Sequence, residues 1–361
     1  MKKVLVTLGP SSFQPQVIRE MDEYGVDLFR INLSHTAVEE VADLIHLIRS
    51  SSDTPICLDS EGAQIRNQNM AGGAVSLEEG SEINIHFTEV LGDAENISFT
   101  PVGIARHFEP GDVVNIDFNN AALRIDKKLD DRLIATVINS GVVGSRKAAD
   151  INRDVPLAPI TPKDREAIAI GRSLGIRNFA LSFAGSAEGV NAMRELCGPD
   201  ASIISKVESK SGLRNLKGII LASNSILIDR GDLSRTIPIG KVPFLQRRII
   251  SMGRTFDTPV YVATNFLESM IQQSGPNRSE VNDIVSTLMA GASGVVLAAE
   301  TAVGKHPVAC VSTVRSLLSY SGKWTPDSSI DEILDWNIKS EPRYFDSILP
   351  NSDDRVATVL K

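Results

Sequence analysis

Cysteine is scarce. Cys57, Cys197 and Cys310 are an odd number without metal-ligand spacing, and Cys57 lies inside an apolar run, which argues against a disulfide framework and a thiolate metal cluster. Reduced core thiols are expected instead. No apolar run approaches the roughly 18 residues that a spanning helix needs, and the Val-Leu-Val-Thr stretch after Met1-Lys2-Lys3 is too short for a signal peptide. The expected address is the cytoplasm, with no membrane partner. Basic charge is also short: 37 Lys and Arg against 45 Asp and Glu give a formal charge of -8, which speaks against a nucleic-acid binder. An acidic protein with an anionic substrate must gather its cations locally, and a bound metal does that efficiently. Low-complexity segments are missing too, and 361 residues, 42% of them apolar, suffice for a large core with an inserted or appended piece.

What the chain does have is a rhythm. Eight short apolar runs stop abruptly at polar residues: Val4 to Leu8, Leu28 to Leu33, Pro55 to Leu58, Asn178 to Phe183, Ser202 to Val207, Ser225 to Ile228, Pro259 to Ala263 and Gly294 to Ala298. Helix-length segments with spaced apolar positions separate most of them: Val17 to Tyr24, Val38 to Ile48, Pro162 to Leu174, Ala187 to Leu196, Phe244 to Arg254 and Arg278 to Ala290. Strands buried on both faces read as unbroken aliphatic runs. Eight β/α units predict an α/β fold, a closed (β/α)8 TIM barrel. An open doubly wound sheet would carry a GxGxxG turn after its first strand, whereas Leu8-Gly9-Pro10-Ser11-Ser12 has none.

From about Ser60 to Lys147 the period drops to two, as in Glu82-Ile-Asn-Ile-His-Phe, Asn96-Ile-Ser-Phe, Val113-Val-Asn-Ile-Asp and Arg132-Leu-Ile-Ala-Thr-Val-Ile. These predict short antiparallel strands in a small all-β domain, residues 60–147, inserted after barrel strand 3. The barrel then comprises 1–59 and 148–324. At the catalytic face such an insertion would serve as a lid. Residues 325–361 form a short acidic tail in which Ile330 to Trp336 reads as one amphipathic helix for packing or dimer contact.

Barrel chemistry sits where strands end. At the second strand end, Arg30, Asn32 and Ser34 share one face, and a planar guanidinium there suits phosphate or carboxylate. Asp59 and Ser60 close the third strand, and with Asn32 and Ser34 they offer oxygens suited to a monovalent cation. Glu208 and Asp232 end the fifth and sixth strands, so their carboxylates can converge on a hard divalent cation, with Lys206 projecting to the same side. A buried ion pair alone would be a costly reason for Lys206-Val-Glu208. Gly231, between Arg230 and Asp232, lets a ligand approach backbone N–H groups, a common device for a carboxylate. Thr264 and Glu300 complete the ring at strands seven and eight. His35, taken singly, is more often a structural hydrogen-bond partner.

These residues, in this order, resemble the pyruvate kinase family. The matching stretches are Val6-Thr-Leu-Gly-Pro-Ser-Ser, Arg30-Ile-Asn-Leu-Ser-His, Asp59-Ser-Glu-Gly-Ala-Gln-Ile-Arg66, Lys206-Val-Glu208, Arg230-Gly-Asp-Leu233, Val262-Ala-Thr-Asn-Phe-Leu-Glu-Ser-Met270, Pro276-Asn-Arg-Ser-Glu-Val-Asn-Asp283 and Glu300-Thr-Ala, spanning roughly residues 1–310. The resemblance implies phosphoryl transfer from phosphoenolpyruvate to ADP, giving pyruvate and ATP, with Mg²⁺ (or Mn²⁺) and K⁺. It implies that Glu208 and Asp232 hold Mg²⁺, and that Asn32, Ser34, Asp59 and Ser60 hold K⁺. Arg30 and Lys206 would flank the moving phosphoryl group, Thr264 would lie near the methylene carbon of the enolate, and Glu300 would join them as catalytic. Gly231, Asp232, Thr264 and Ser182 would contact substrate, and His35, Arg66 and Asn32 the nucleotide side. A homo-oligomer is open.

The chain departs from the family's pattern on the nucleotide side. The family's Lys-Gly-Pro-Glu after the third strand is Glu61-Gly62-Ala63-Gln64 here, turning a cation into an anion. The family's Ser-Gly-Glu-Thr is Ala298-Ala299-Glu300-Thr301, losing a hydroxyl, and Thr264 is followed by Asn265 where the family has glutamine. Ala148 to Asp154 does not match the family's Asn-Leu-Pro-Gly return from the lid, and no counterpart of its large C-terminal domain is found. Two alternatives to a minimal pyruvate kinase therefore stay open: a lyase, hydrolase or transferase that forms the same enolate with a non-nucleotide partner, and a catalytically weak ligand-binding homologue.

Overall fold

The computed structural model describes residues 2–336 except 63, 118, 119 and 154, so residues 337–361 of the expected tail lie outside it. Two compact units are distinguished, one formed by Met1–Glu61 with the chain from Pro162 onward, the other by Gly62–Thr161.

In the first unit the eight aliphatic runs become eight parallel strands closed into a barrel: Lys3–Leu8, Leu28–Asn32, Ile56–Asp59, Asn178–Leu181, Ser202–Val207, Ser225–Asp229, Val260–Ala263 and Gly294–Leu297. Each pairs with its sequence neighbour in the barrel, and Lys3–Leu8 closes the ring against Gly294–Leu297. One buried cluster takes a side chain from every strand: Leu5, Leu28, Cys57, Ala180, Ile204, Leu227, Tyr261 and Val296. Because side chains alternate along a strand, the residues two further on return to the same face. Six of these eight are polar, Thr7, Arg30, Asp59, Ser182, Lys206 and Asp229, the others being Ala263 and Ala298, so a largely polar layer lies directly beyond the apolar one.

All six helical segments expected from spacing are helical, with ends shifted by a few residues: Pro15–Glu23, Val41–Arg49 after a short 3-10 turn, Pro162–Ser173, Ala187–Cys197, Val242–Thr255 and Arg278–Met289. Their starts have local causes. Ser186 Oγ accepts from the Gly189 N–H, and Asn277 and Glu280 form a reciprocal capping box. The segment after the fifth strand, which the spacing did not single out, forms two short helices, Lys210–Arg214 and Leu216–Ala222, broken at Asn215. Ile330–Leu334 is helical behind a Ser329 cap.

Seven strands of the second unit close into a ring around Ile83, Ile85, Ile97, Phe99, Leu123, Leu133 and Val137, and Ala74–Leu77 pairs with Gly141–Gly144 in a separate two-stranded sheet. Two sequence expectations need correction. Six of the ring's seven pairings are antiparallel, but Glu82–His86 runs parallel to Asn96–Thr100. An odd number of strands cannot close with every neighbour antiparallel. The unit also extends beyond Lys147, because Ala148–Ile151 pairs with Ile65–Asn67 and Val113–Ile116 inside the ring. That strand is too short for its period to register.

Candidate active site

The polar layer of the barrel is organised by one ammonium group. Lys206, 7% exposed, lies 3.0 Å from Glu208 Oε1, 3.4 Å from Asp59 Oδ2 and 4.0 Å from Asp229 Oδ2, and it donates to Ser182 Oγ at 3.0 Å. Ser182 passes its own hydroxyl hydrogen to the Ser60 carbonyl at 2.7 Å, which fixes its lone pairs toward the lysine. On the other side, Arg30 Nη1 sits 2.9 Å from Asp59 Oδ2 while its Nε donates to Thr7 Oγ1 at 2.9 Å. The Arg30–Asp59 and Lys206–Glu208 contacts are ion pairs by distance but lack hydrogen-bond alignment, so Glu208 Oε1 and Asp59 Oδ2 are buried without a hydrogen-bond donor.

The titration of these groups follows from their crowding. Burial disfavours the Lys206 ammonium, but Asp59, Glu208 and Asp229 outweigh it and raise its pKa above the ordinary lysine value. Burial raises the Glu208 carboxyl to about 8, opposed by Lys206, with Asp229 and Asp232 adding like-charge repulsion and the Phe183 N–H, 2.6 Å away, favouring the anion. For Asp229 burial acts upward, yet Lys206, the Thr264 hydroxyl and Arg30 hold it below the usual carboxylate range.

Glu208, Asp229 and Asp232 each offer a carboxylate oxygen, and the three lie within 4.8 Å of one another. All-oxygen ligands at that separation suit a hard divalent cation, and the hydrogen-bond vacancy at Glu208 Oε1 is consistent with one. Asp229 was missed by sequence reasoning, which let Asp232 end the sixth strand. The strand ends at Asp229, and Asp232 sits in the short helix Arg230–Thr236, 3.1 Å from Arg235. The signal was present: a carboxylate directly after Ile-Leu-Ile, two residues beyond Leu227, the register partner of Lys206 on the neighbouring strand.

Thr264 and Asn265 follow the seventh strand with φ of 81° and 57°, a left-handed turn that costs non-glycine residues about 1–3 kcal/mol. Arg230 braces it. Its Nε donates to the Thr264 carbonyl at 3.1 Å, its plane lies 4.2 Å from the Phe266 ring centre, and its Nη1 pairs with Asp283 at 2.6 Å. Arg230 thus pairs with Asp283, while Asp232 pairs with Arg235. A Cβ at Gly231 would come 3.0 Å from Thr264 Cγ2, which accounts for the glycine. Thr264 Oγ1 donates to Asp229 Oδ1 at 2.6 Å.

Glu300 calls for correction. It is 2% exposed, and its carboxylate accepts the N–H groups of Phe266, Leu267 and Ala298 at 3.2, 3.2 and 2.8 Å. A carboxylate committed to three backbone donors braces the loop after Thr264 and is not poised as the catalytic group expected. Among the monovalent-cation candidates, Asn32 and Asp59 are register partners on adjacent strands, Asn32 Oδ1 accepts from the Ser34 N–H at 3.0 Å, and Ser60 Oγ accepts from the Ser182 N–H at 2.9 Å. Their oxygen donors fit an alkali cation in kind. Of the nucleotide-side residues, His35 is exposed on the first unit, while Arg66 belongs to the second, bonded to Gln64 and the Arg146 carbonyl. Glu61 is held by Lys163 at 3.3 Å, and its N–H by Asp164.

A parallel barrel with a lysine among clustered carboxylates at its strand ends has the architecture of an α/β-barrel enzyme. The family model described as pyruvate kinase, barrel domain, matches residues 1–311. A pyruvate kinase from Agrobacterium vitis is 34% identical over 351 residues, covering 94% of this chain and 72% of the relative. One from Thermoplasma acidophilum is 32% identical over 323 residues, covering 88% of this chain and 58% of its own length. The crystal structure of a pyruvate kinase from Cryptosporidium parvum superposes with a TM-score of 0.82 at 27% identity, covering 90% of this chain and 70% of that one. The chain belongs to the pyruvate kinase family.

Proposed function

We propose that this protein is a pyruvate kinase-like phosphotransferase that moves the phosphoryl group of phosphoenolpyruvate to ADP, leaving pyruvate and ATP. The observation that carries the reading is Lys206 held protonated between Asp59 and Glu208, with Asp229 and Asp232 beside it. A divalent ion such as Mg²⁺ or Mn²⁺, held by Glu208 and Asp232 with Asp229, would supply charge neutralisation at phosphoryl and enolate oxygens. Lys206 and Arg30 place fixed positive charge where the phosphoryl group passes, which counts for more in a water-poor site than in solution. Ser182 and Asp59 keep Lys206 in position. The Thr264 hydroxyl lies beside the carbon that takes up a proton to complete pyruvate. Asn32, Ser34, Asp59 and Ser60 are the proposed K⁺ ligands, and His35 and Asn32 face the nucleotide. A cytoplasmic address and self-association accompany this reading.

The test is pyruvate formation from phosphoenolpyruvate with ADP, Mg²⁺ and K⁺, absent in Lys206→Met. A second reading, an enolate-forming enzyme with a non-nucleotide partner, is favoured by Glu61, an anion secured by Lys163 where the family carries lysine. Solvent deuterium entering the pyruvate methyl group, with no effect of ADP, would select it. Under the first reading Glu61→Lys raises ADP use.

A further inference from the structure

Two hydrogen-bond donors in the barrel converge on one oxygen. The Gly231 N–H and the Thr264 hydroxyl both point at Asp229 Oδ1, at 3.2 and 2.6 Å. The other oxygen of the same carboxylate, Oδ2, is 4.0 Å from Lys206, and Asp229 lies in the three-carboxylate group with Glu208 and Asp232. Asp229 therefore bridges the donors and the acidic centre, and its side chain is only 14% exposed.

We propose that Asp229 is a specificity-determining residue, an internal carboxylate occupying the donors that a ligand carboxylate needs. This rests on the reading of the site as one for an enolate or 2-oxo acid. A ligand carboxylate entering beside Gly231 and Thr264 must take their hydrogens from Asp229 Oδ1, since a hydroxyl has one hydrogen to donate. Two carboxylates forced to share the place repel each other, so Asp229 turns toward the divalent ion as the ligand enters. Charge counting points the same way. Asp229 adds one negative charge beside Glu208 and Asp232, which favours a divalent ion and opposes an anionic ligand. Asp229 thereby lowers affinity for multiply anionic ligands and strengthens the hold on the metal.

The simpler account makes Asp229 only the cap of the helix Arg230–Thr236. Asparagine caps about as well as aspartate, so Asp229→Asn keeps the cap and removes the charge. The experiment is calorimetric titration of the parent, Asp229→Asn and Asp229→Ala with Mg²⁺ alone, then with oxalate at saturating Mg²⁺. Oxalate should bind both variants tighter by about tenfold, the direction set by removing a like-charge clash, while Mg²⁺ alone should bind them more weakly. Opposite signs for the two ligands are not what loss of a cap produces. Oxalate bound by the parent but no tighter by either variant overturns the proposal alone. Oxalate bound by none of the three overturns the reading beneath it as well.

Discussion

Lys206 and Glu208 stand two residues apart at the end of one strand, and their charged groups meet at 3.0 Å in a place where Glu208 is 1% exposed and Lys206 7%. Period-two geometry puts both on the barrel's inner face. Neither charge would be sustained there alone, because the penalty for an unpaired buried ion exceeds what neighbouring dipoles return. The pair is held in tension: Lys206 is pulled toward full protonation by its carboxylate neighbours, while burial, reinforced by Asp229 and Asp232, pushes Glu208 toward neutrality.

Lys206→Met should lower kcat by about 10²-fold or more, since it deletes the cation beside the transferring group. It should also destabilise the metal-free protein by roughly 3–5 kcal/mol, because Asp59 and Glu208 keep their burial and lose their counter-charge. Steady-state kinetics and urea unfolding in chelator measure the two effects separately. Near-parental turnover would remove Lys206 from the chemistry.

Magnesium should raise the thermal midpoint. Three carboxylates within reach of one another repel in the free protein and bind together with the ion, so Mg²⁺ at 100 times its dissociation constant should add about 2.7 kcal/mol. Melting curves with Mg²⁺ and with chelator check this in parent and Glu208→Gln. An equal Mg²⁺ shift in the two proteins would place the ion elsewhere.

Arg230→Lys should impair turnover although Arg230 faces the loop. A lysine keeps the charge toward Asp283 but cannot also fork onto the Thr264 carbonyl and stack on Phe266. Release of the left-handed turn at Thr264 displaces its hydroxyl, with a loss of up to ~10²-fold in kcat/KM. Mg²⁺ binding, followed by calorimetry, should hold within a factor of about two. A loss confined to metal affinity would contradict the bracing role.

The three cysteines should be silent toward thiol reagents in the folded protein. Burial pushes Cys197 up to about 12, opposed by Arg172 and Arg194, and it raises Cys57 and Cys310 as well. The thiolate is the reactive form, so at pH 8 a disulfide reagent should titrate none before unfolding and three after. A rapidly reacting thiol in the native state would show that a part of the barrel opens.

The barrel was legible because both of its periods are strong. Aliphatic runs ended cleanly at Leu8, Leu58, Val207 and Ala263, and the helical segments between them had one apolar stripe each. The charged centre was legible in part. Lys206-Val-Glu208 is hard to explain without function, and the structure brings both together with Asp59 and Arg30. Asp229 escaped because attention passed to the Arg230-Gly-Asp232 motif behind it. Glu300 misled because strand-end position says nothing about hydrogen-bond partners, and three backbone N–H groups had claimed it. The Arg230–Asp283 pair was hidden for another reason, since Asp283 lies far along the chain. The closure of the second unit was invisible, because pairing direction is a tertiary property that alternation does not encode.

The seven-strand ring of the second unit gives each of its strands a neighbour on both sides. A sheet with open margins can recruit strands from other chains, a route to amyloid that proteins must guard against. The ring meets that hazard by geometry, and among the described residues open margins in this unit are confined to the separate pair Ala74–Leu77 and Gly141–Gly144.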